Sequence, residues 1–430
     1  MNKQRILKIE YDRQYPFWSM LVAWVLILAS PFVSVLLSYA ALAICLYRVF
    51  RYDAKVFATD YVILAPLSRI FKTSGGLTLL IILCLIAAVV FLVREGAKAD
   101  STFVLILALL NYLLLRMDMN ISAYLLCFGQ IFLLWVLLPK QDADSAIRTA
   151  KMYCYGLLAA SIYAVLLNGT WQIQALIGEG SEAIWGTGIM RFHGLIGDPN
   201  FYMTELIVGL ALLAKLRETR HIKLVPFIIM GVAMALLGAL TYSKTFFLAL
   251  AIFAGIYIIW QFRNKKIILG VLLVAAVVIS AEFLLFSEDS PFSVIVRRFL
   301  EGEDLNDLTT GRTGIFEQYI EAICKTPGKF FFGYGLNAPL LGKAPHNIYL
   351  EILYYCGAVG FVLFASFISV MTGQLKRRSE TIGSQSLIAK YVVFAMVLLL
   401  FMSLNGILMV DVYPSFFLGA LAILIPVNEA

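Results

Sequence analysis

The chain has 430 residues, 61% of them hydrophobic and 14% charged, with a formal net charge of +7 and a mean hydropathy of +0.87. Soluble domains carry about 45–50% apolar and about 25% charged residues. A water-soluble core is therefore excluded, since it cannot hide so many apolar side chains, whereas lipid solvates them. The length suits a single polytopic domain over 1–430, with no Gly/Ser- or Pro-rich linker to divide it.

In chain order, Met1–Tyr15 carries Lys3, Arg5, Lys8 and Arg13 and runs into apolar sequence with no small-residue cleavage site, so it reads as an uncleaved signal anchor. Residues 17–49 form one long tilted helix or two short ones broken near Pro31. Val56–Phe71, with Asp60 and Arg69, is either interfacial or a weak span. A bilayer core of about 30 Å takes about 20 apolar residues per helix. Suitable runs follow near 77–93, 102–116, 121–138, 147–167, 200–215, 224–241, 245–261, 266–286, 348–371, 388–409 and 412–427. The fold class is therefore all-α: a polytopic membrane bundle of about 12 transmembrane helices, within a range of 12–14.

Basic clusters at Lys140/Arg148/Lys151, Lys215/Arg217/Arg220/Lys223, Arg263/Lys265/Lys266 and Lys376/Arg377/Arg378 occupy alternate loops. The positive-inside rule puts these loops and both termini in the cytoplasm. That placement accounts for the net charge without a nucleic-acid partner. Loops 168–199, 287–347 and the turns at Ser243 and Asp411 then face outward. The largest, 287–347, holds eight acidic residues against six Lys and Arg and is expected to contain short helices. Only Cys324 of the six cysteines lies in it, so neither a disulfide framework nor zinc-ligand spacing is expected.

Unusual polar residues gather in two outward loops. The first ends in RFHGLIGDPN, Arg191 to Asn200. Asp198 suits an N-cap and Pro199 the first helical position. Arg191, the one Lys or Arg in its loop, either meets lipid headgroups or holds an anion. His193 reads as structural, and His221 as a solvated charge. In the second loop Ile315, Phe316, Tyr319, Ile320 and Ile323 form the apolar stripe of a helix near 311–324, capped by Thr309 or Thr310. That puts Arg312 in the first turn, where a cation opposes the helix dipole unless an anion shares the site. His346 precedes a helix that Asn347 would cap. It is either an interfacial residue or a base with a pKa near working pH. Lys244 in the short outward turn either snorkels or touches an anion. Glu205 and Glu282 fall inside apolar runs and are functional candidates by position.

Taken in order, the Gly197–Asn200 stretch, Ser243-Lys244, Thr310–Arg312, Gly333–Gly335, and His346-Asn347 with Leu350 and Gly357 resemble the O-antigen ligase and O-antigen polymerase family of bacterial envelope glycan enzymes. The likeness covers roughly 185–410. It implies a metal-independent inverting glycosyltransferase without a cofactor, acting at the outer face of the cytoplasmic membrane. The donor would be an undecaprenyl-diphosphate-linked glycan, and the acceptor another glycan or lipid A-core. Membrane lipids and a chain-length regulator protein are the further partners implied. By the same resemblance Arg191 and Arg312 grip the diphosphate and His346 acts in catalysis, while Asp198, Asn200, Lys244 and Asn347 are candidate substrate contacts. Some polymerases of the family pair an arginine with a glycine sixteen positions on. Arg312 and Gly328 fit this, and Arg191 does not. The turn has Lys244 where arginine is usual, which argues against a bidentate role there. Polymerisation is the preferred reading, ligation to lipid A-core the alternative. A transporter or flippase is the reading from a different class.

Overall fold

The computed structural model describes residues 15–74, 77–96, 101–116, 121–167, 170, 172–173, 190–260, 294, 311–336, 338–380, 387–404 and 412–426. Among them the fold is helical, with an isolated antiparallel bridge between Lys72 and Thr78. The helices are α1 (Phe17–Ala29), α2 (Leu36–Arg51), α3 (Ala54–Leu64), α4 (Leu79–Glu95), α5 (Ser101–Leu115), α6 (Ile121–Leu137), α7 (Ala143–Leu167), α8 (Pro199–Glu218), α9 (Leu224–Ala239) and α10 (Lys244–Trp260). Beyond these come α11 (Arg312–Cys324), α12 (Pro327–Phe332), α13 (Ile348–Glu380), α14 (Leu387–Leu400) and α15 (Val412–Leu421). The apolar run at 266–286, Glu282 and most of the two large loops lie outside the described residues.

Starts are fixed by short polar side chains. Asp53 accepts from Val56 N at 2.9 Å, and Asp142 and Ser145 cap α7 reciprocally at 2.8 and 2.9 Å. Helices α8 and α15 are buried on every face and form the middle of the bundle. Around them, large apolar side chains such as Val93, Leu115, Leu166 and Val225 face outward. In water such a surface would aggregate; against acyl chains it is solvated. Two described helices, Ala143–Leu167 and Ile348–Ser379, are long and apolar enough to cross a bilayer. The other apolar helices among the described residues are shorter.

The 17–49 run resolves into two helices broken between Ala29 and Leu36. The interfacial reading of Val56–Phe71 is overturned. Apart from Lys55, every residue of α3 is buried. Asp60 marks the interior because Arg48 of α2 supplies its counterion, at 2.6 Å.

One end of the bundle collects basic groups. Lys140 donates to the carbonyls of Glu95 and Gly96 at 2.9 and 2.8 Å, and Lys55 pairs with Asp142 at 2.5 Å. Arg94 caps the last carbonyls of α2, and Arg378 reaches Pro139 O. Because α13 runs the length of the bundle, its first residue lies at the opposite end. The two polar loop segments meet there.

Candidate functional site

The first segment is laid across the turn between α9 and α10. Phe192 N donates to Leu240 O at 2.9 Å, and Arg191 Nε donates to Thr241 O at 2.8 Å. The other end of the guanidinium meets Asn200 Oδ1 at 3.3 Å. Asn200, a candidate substrate contact, thus orients Arg191. Asp198 caps α8, accepting from Asn200 N at 2.7 Å and Phe201 N at 3.3 Å. Gly194 takes a φ of +58°, and a Cβ there would meet the Tyr202 ring at 2.6 Å, so only glycine fits. His193 is buried with Nδ1 3.1 Å from Gly194 O, and burial holds its pKa below the usual histidine range. Lys244 opens α10, three residues past the carbonyl that Arg191 holds.

The second segment begins at Arg312, the first residue of α11. Thr309 and Thr310, the expected caps, lie outside the described residues. The residue just ahead of the helix is Gly311, left-handed at φ +79°. On the helix face, Tyr319 and Ile323 are buried as the stripe requires, whereas Ile320 turns outward.

Tyrosine hydroxyls fasten this helix to the strap that leads to His346. Tyr319 OH donates to Lys343 O at 3.0 Å and accepts from Leu341 N at 3.1 Å. Tyr354 OH donates to Pro339 O and Tyr334 OH to Ala322 O, both at 2.9 Å. Their rings pack at 5.0 Å (Tyr319–Tyr354) and 4.7 Å (Tyr334–Tyr354). His346 follows in a left-handed conformation, φ +45°, a strain of order 1 kcal/mol for a residue with a Cβ. Asn347 Oδ1 then caps α13, accepting from Tyr349 N and Leu350 N at 3.0 and 3.2 Å.

The loop is also set into a break in α13. Gly357 is non-helical at φ 63° and ψ −173°. The carbonyls this frees are taken up by Tyr334 N (to Tyr354 O, 2.8 Å), Gly335 N (to Tyr355 O, 2.9 Å) and Tyr112 OH (to Cys356 O, 2.6 Å). Such a break inside a membrane helix is tolerated when neighbours satisfy the freed groups. Gly333 and Gly357 lie backbone to backbone. A Cβ on Gly333 would meet Tyr355 O at 2.5 Å, and one on Gly357 would strike Phe331 O.

These constraints bring His346 within electrostatic reach of Arg312, Asp198, Lys343 and Arg191. Burial pulls its pKa below the usual value. Arg312 pulls the same way, Asp198 opposes, and Lys343 and Arg191 again lower it. The imidazole is therefore neutral at neutral pH. Arg312 is lowered by burial and supported by Asp198. Among the described residues, neither Arg312 nor His346 has a side-chain hydrogen bond or ion pair. No group of three His, Cys, Asp or Glu side chains there could hold a metal ion.

Residues 229–365 match the family model described as O-antigen ligase. This stretch, about a third of the chain, is similar to that family. No curated protein and no solved structure matches it. The family is a membrane one of polysaccharide and lipopolysaccharide biosynthesis, acting on lipid-linked glycans. The matched stretch takes in Lys244, Arg312, His346, Asn347 and both contacting glycines. Arg191, Asp198 and Asn200 lie before it and are joined to it by the fold.

Residues not singled out in the sequence support this stretch from outside. Arg116 Nη2 donates to Gly333 O at 3.1 Å and its carbonyl accepts from Leu336 N at 2.7 Å, while Tyr112 OH also approaches Phe332 O at 3.3 Å. An arginine ending an apolar run, as Arg116 does, was the available signal. Gly328 is exposed, with nothing within 4 Å of a Cβ, and nothing in the structure explains a glycine there.

Proposed function

We propose that the protein transfers a glycan from undecaprenyl diphosphate to a sugar hydroxyl, extending a surface polysaccharide by repeat units. The observation that carries this reading is the gathering of Arg312, Arg191, Asp198 and a neutral His346 in and beside the stretch similar to O-antigen ligase. A ring nitrogen of His346 takes the proton of the acceptor hydroxyl. The acceptor oxygen forms a bond to the anomeric carbon from the face opposite the departing oxygen, which inverts that centre. The diphosphate leaves with the bonding electron pair, and Arg312 and Arg191 stabilise its charge. Since the leaving group is already good, positive charge and a base suffice without a metal or cofactor. Asp198, Asn200, Lys244 and Asn347 orient these groups or the sugars. The basic end of the bundle lies opposite, so the positive-inside rule turns the site to the outer face of the cytoplasmic membrane. The alternative reading is ligation of the glycan to lipid A-core, in keeping with the family description as O-antigen ligase.

The test is product formation by the purified protein in vesicles with a lipid-linked glycan, without ATP, added metal or an ion gradient. Longer lipid-linked glycan and free undecaprenyl diphosphate are expected. Product only when lipid A-core is added would replace polymerase by ligase, and movement of donor across the bilayer without any product would overturn transfer altogether.

A further inference from the structure

Phe330, Phe331 and Phe332 close α12 as three consecutive aromatic residues, 41%, 50% and 53% exposed. Ile320 on the adjoining α11 is 50% exposed as well. Single exposed apolar residues call for no explanation, but a contiguous group does. Its place in the fold names its partner. Phe332 O lies beside Tyr112 of α5, and α12 packs along α13. The aromatics therefore continue the apolar outer surface made by Leu114 and Leu115 of α5 and Val362 of α13. Their depth agrees. At about 1.5 Å per residue, α13 from Gly357 to Arg377 measures about 30 Å, which is one hydrocarbon thickness. Gly333 touches Gly357, so the phenylalanines just before it sit one bilayer core away from the basic end that Arg378 joins. Lys325 is exposed beside them, and Lys329 Nζ stands 4.3 Å from the Tyr334 ring, so cations flank the aromatics as lipid headgroups would favour.

We propose that Phe330–Phe332 form a wedge inserted among the acyl chains of the leaflet nearest the site, anchoring the loop that carries Arg312 and His346 to the membrane. The proposal rests on the membrane reading alone and not on the transfer reaction. Its test places a spin label at 331 (Phe331→Cys) or 332 (Phe332→Cys) in the full chain with Cys127→Ala and Cys324→Ser, the other cysteines being buried. A label at exposed Gln318 (Gln318→Cys) is the reference. In vesicles of phosphatidylethanolamine and phosphatidylglycerol, the ratio of oxygen to nickel-chelate accessibility is expected to be several-fold higher at 331 and 332 than at 318. Equal ratios would put the aromatics in water. Strong spin–spin broadening at 331 and 332 would show instead that a second copy of the chain covers them. Either result overturns the wedge, and it is upheld only if both positions read as lipid-exposed in protein that elutes like wild type.

Discussion

Two arginines of this molecule are treated in opposite ways. Arg48 is closed in by protein. Its Nε and Nη2 donate to Asp60 at 2.8 and 2.6 Å, and its Nη1 donates to Pro16 O at 2.6 Å and Ser19 Oγ at 2.5 Å. Tyr15 OH completes Asp60 at 2.5 Å, and the Tyr15 and Tyr52 rings lie 5.2 and 5.4 Å from the guanidinium. Arg312 is half-buried and, among the described residues, has charge neighbours without a hydrogen bond. A buried ion pair costs desolvation that only complete hydrogen bonding offsets. Leaving a guanidinium and an imidazole incomplete is therefore a cost that a bound anion and a hydroxyl would relieve. A closed network serves the fold; an open one serves a ligand.

The comparison breaks most easily at the site itself. Arg312→Ala and His346→Ala should each lower product formation about 10²–10³-fold while leaving the yield of folded protein unchanged. Activity near wild type in either variant would end the proposed mechanism. The closed network should behave in the reverse sense. Arg48→Ala strands Asp60 and should cost about 3–5 kcal/mol of stability, read as a drop in the denaturation midpoint in detergent. Combining Arg48→Met with Asp60→Leu should recover most of it. If Arg312→Ala destabilises the protein as much as Arg48→Ala does, the distinction between the two networks is false.

The smallest effect sharpens the comparison further. If deprotonated His346 is the base, the rate falls as pH drops through its pKa. Asp198 raises that pKa, and Asn caps a helix as well as Asp does. Asp198→Asn should therefore shift the acid limb of the pH–rate profile to lower pH. Arg312 lowers the same pKa, so the residual activity of Arg312→Gln should show the limb moved to higher pH. Limbs that stay in place in both variants would mean that another group titrates.

The apolar runs made the helical membrane class legible, because lipid asks for continuous apolar stretches and little else. Asp198 and Asn347 were legible as caps since the signal is local: a short polar side chain just ahead of an apolar run. The left-handed Gly311 ahead of α11 was not, because a φ of +79° leaves no trace in an apolar pattern. Asp60 misled for a related reason. A charge in a weak apolar run looks interfacial until its partner is known, and Arg48 lies on a different helix. Tyr319 was correctly placed on the apolar face of its helix, but its hydroxyl faces strap carbonyl and amide groups that no periodicity reveals. Arg312 and His346 stood out individually. Only the fold places them with Arg191 and Asp198 in one electrostatic neighbourhood.

The contact between Gly333 and Gly357 has a consequence for transplanting parts of this protein. What each glycine faces is main chain, so no smaller partner residue can make room for a side chain across it. The two positions cannot drift as a compensating pair, and each should reject every substitution alone. A chimera that borrows the outward loop from a relative must bring the first third of α13 with it, at least through Gly357. Exchanged separately, loop and helix would meet at a joint that fits neither.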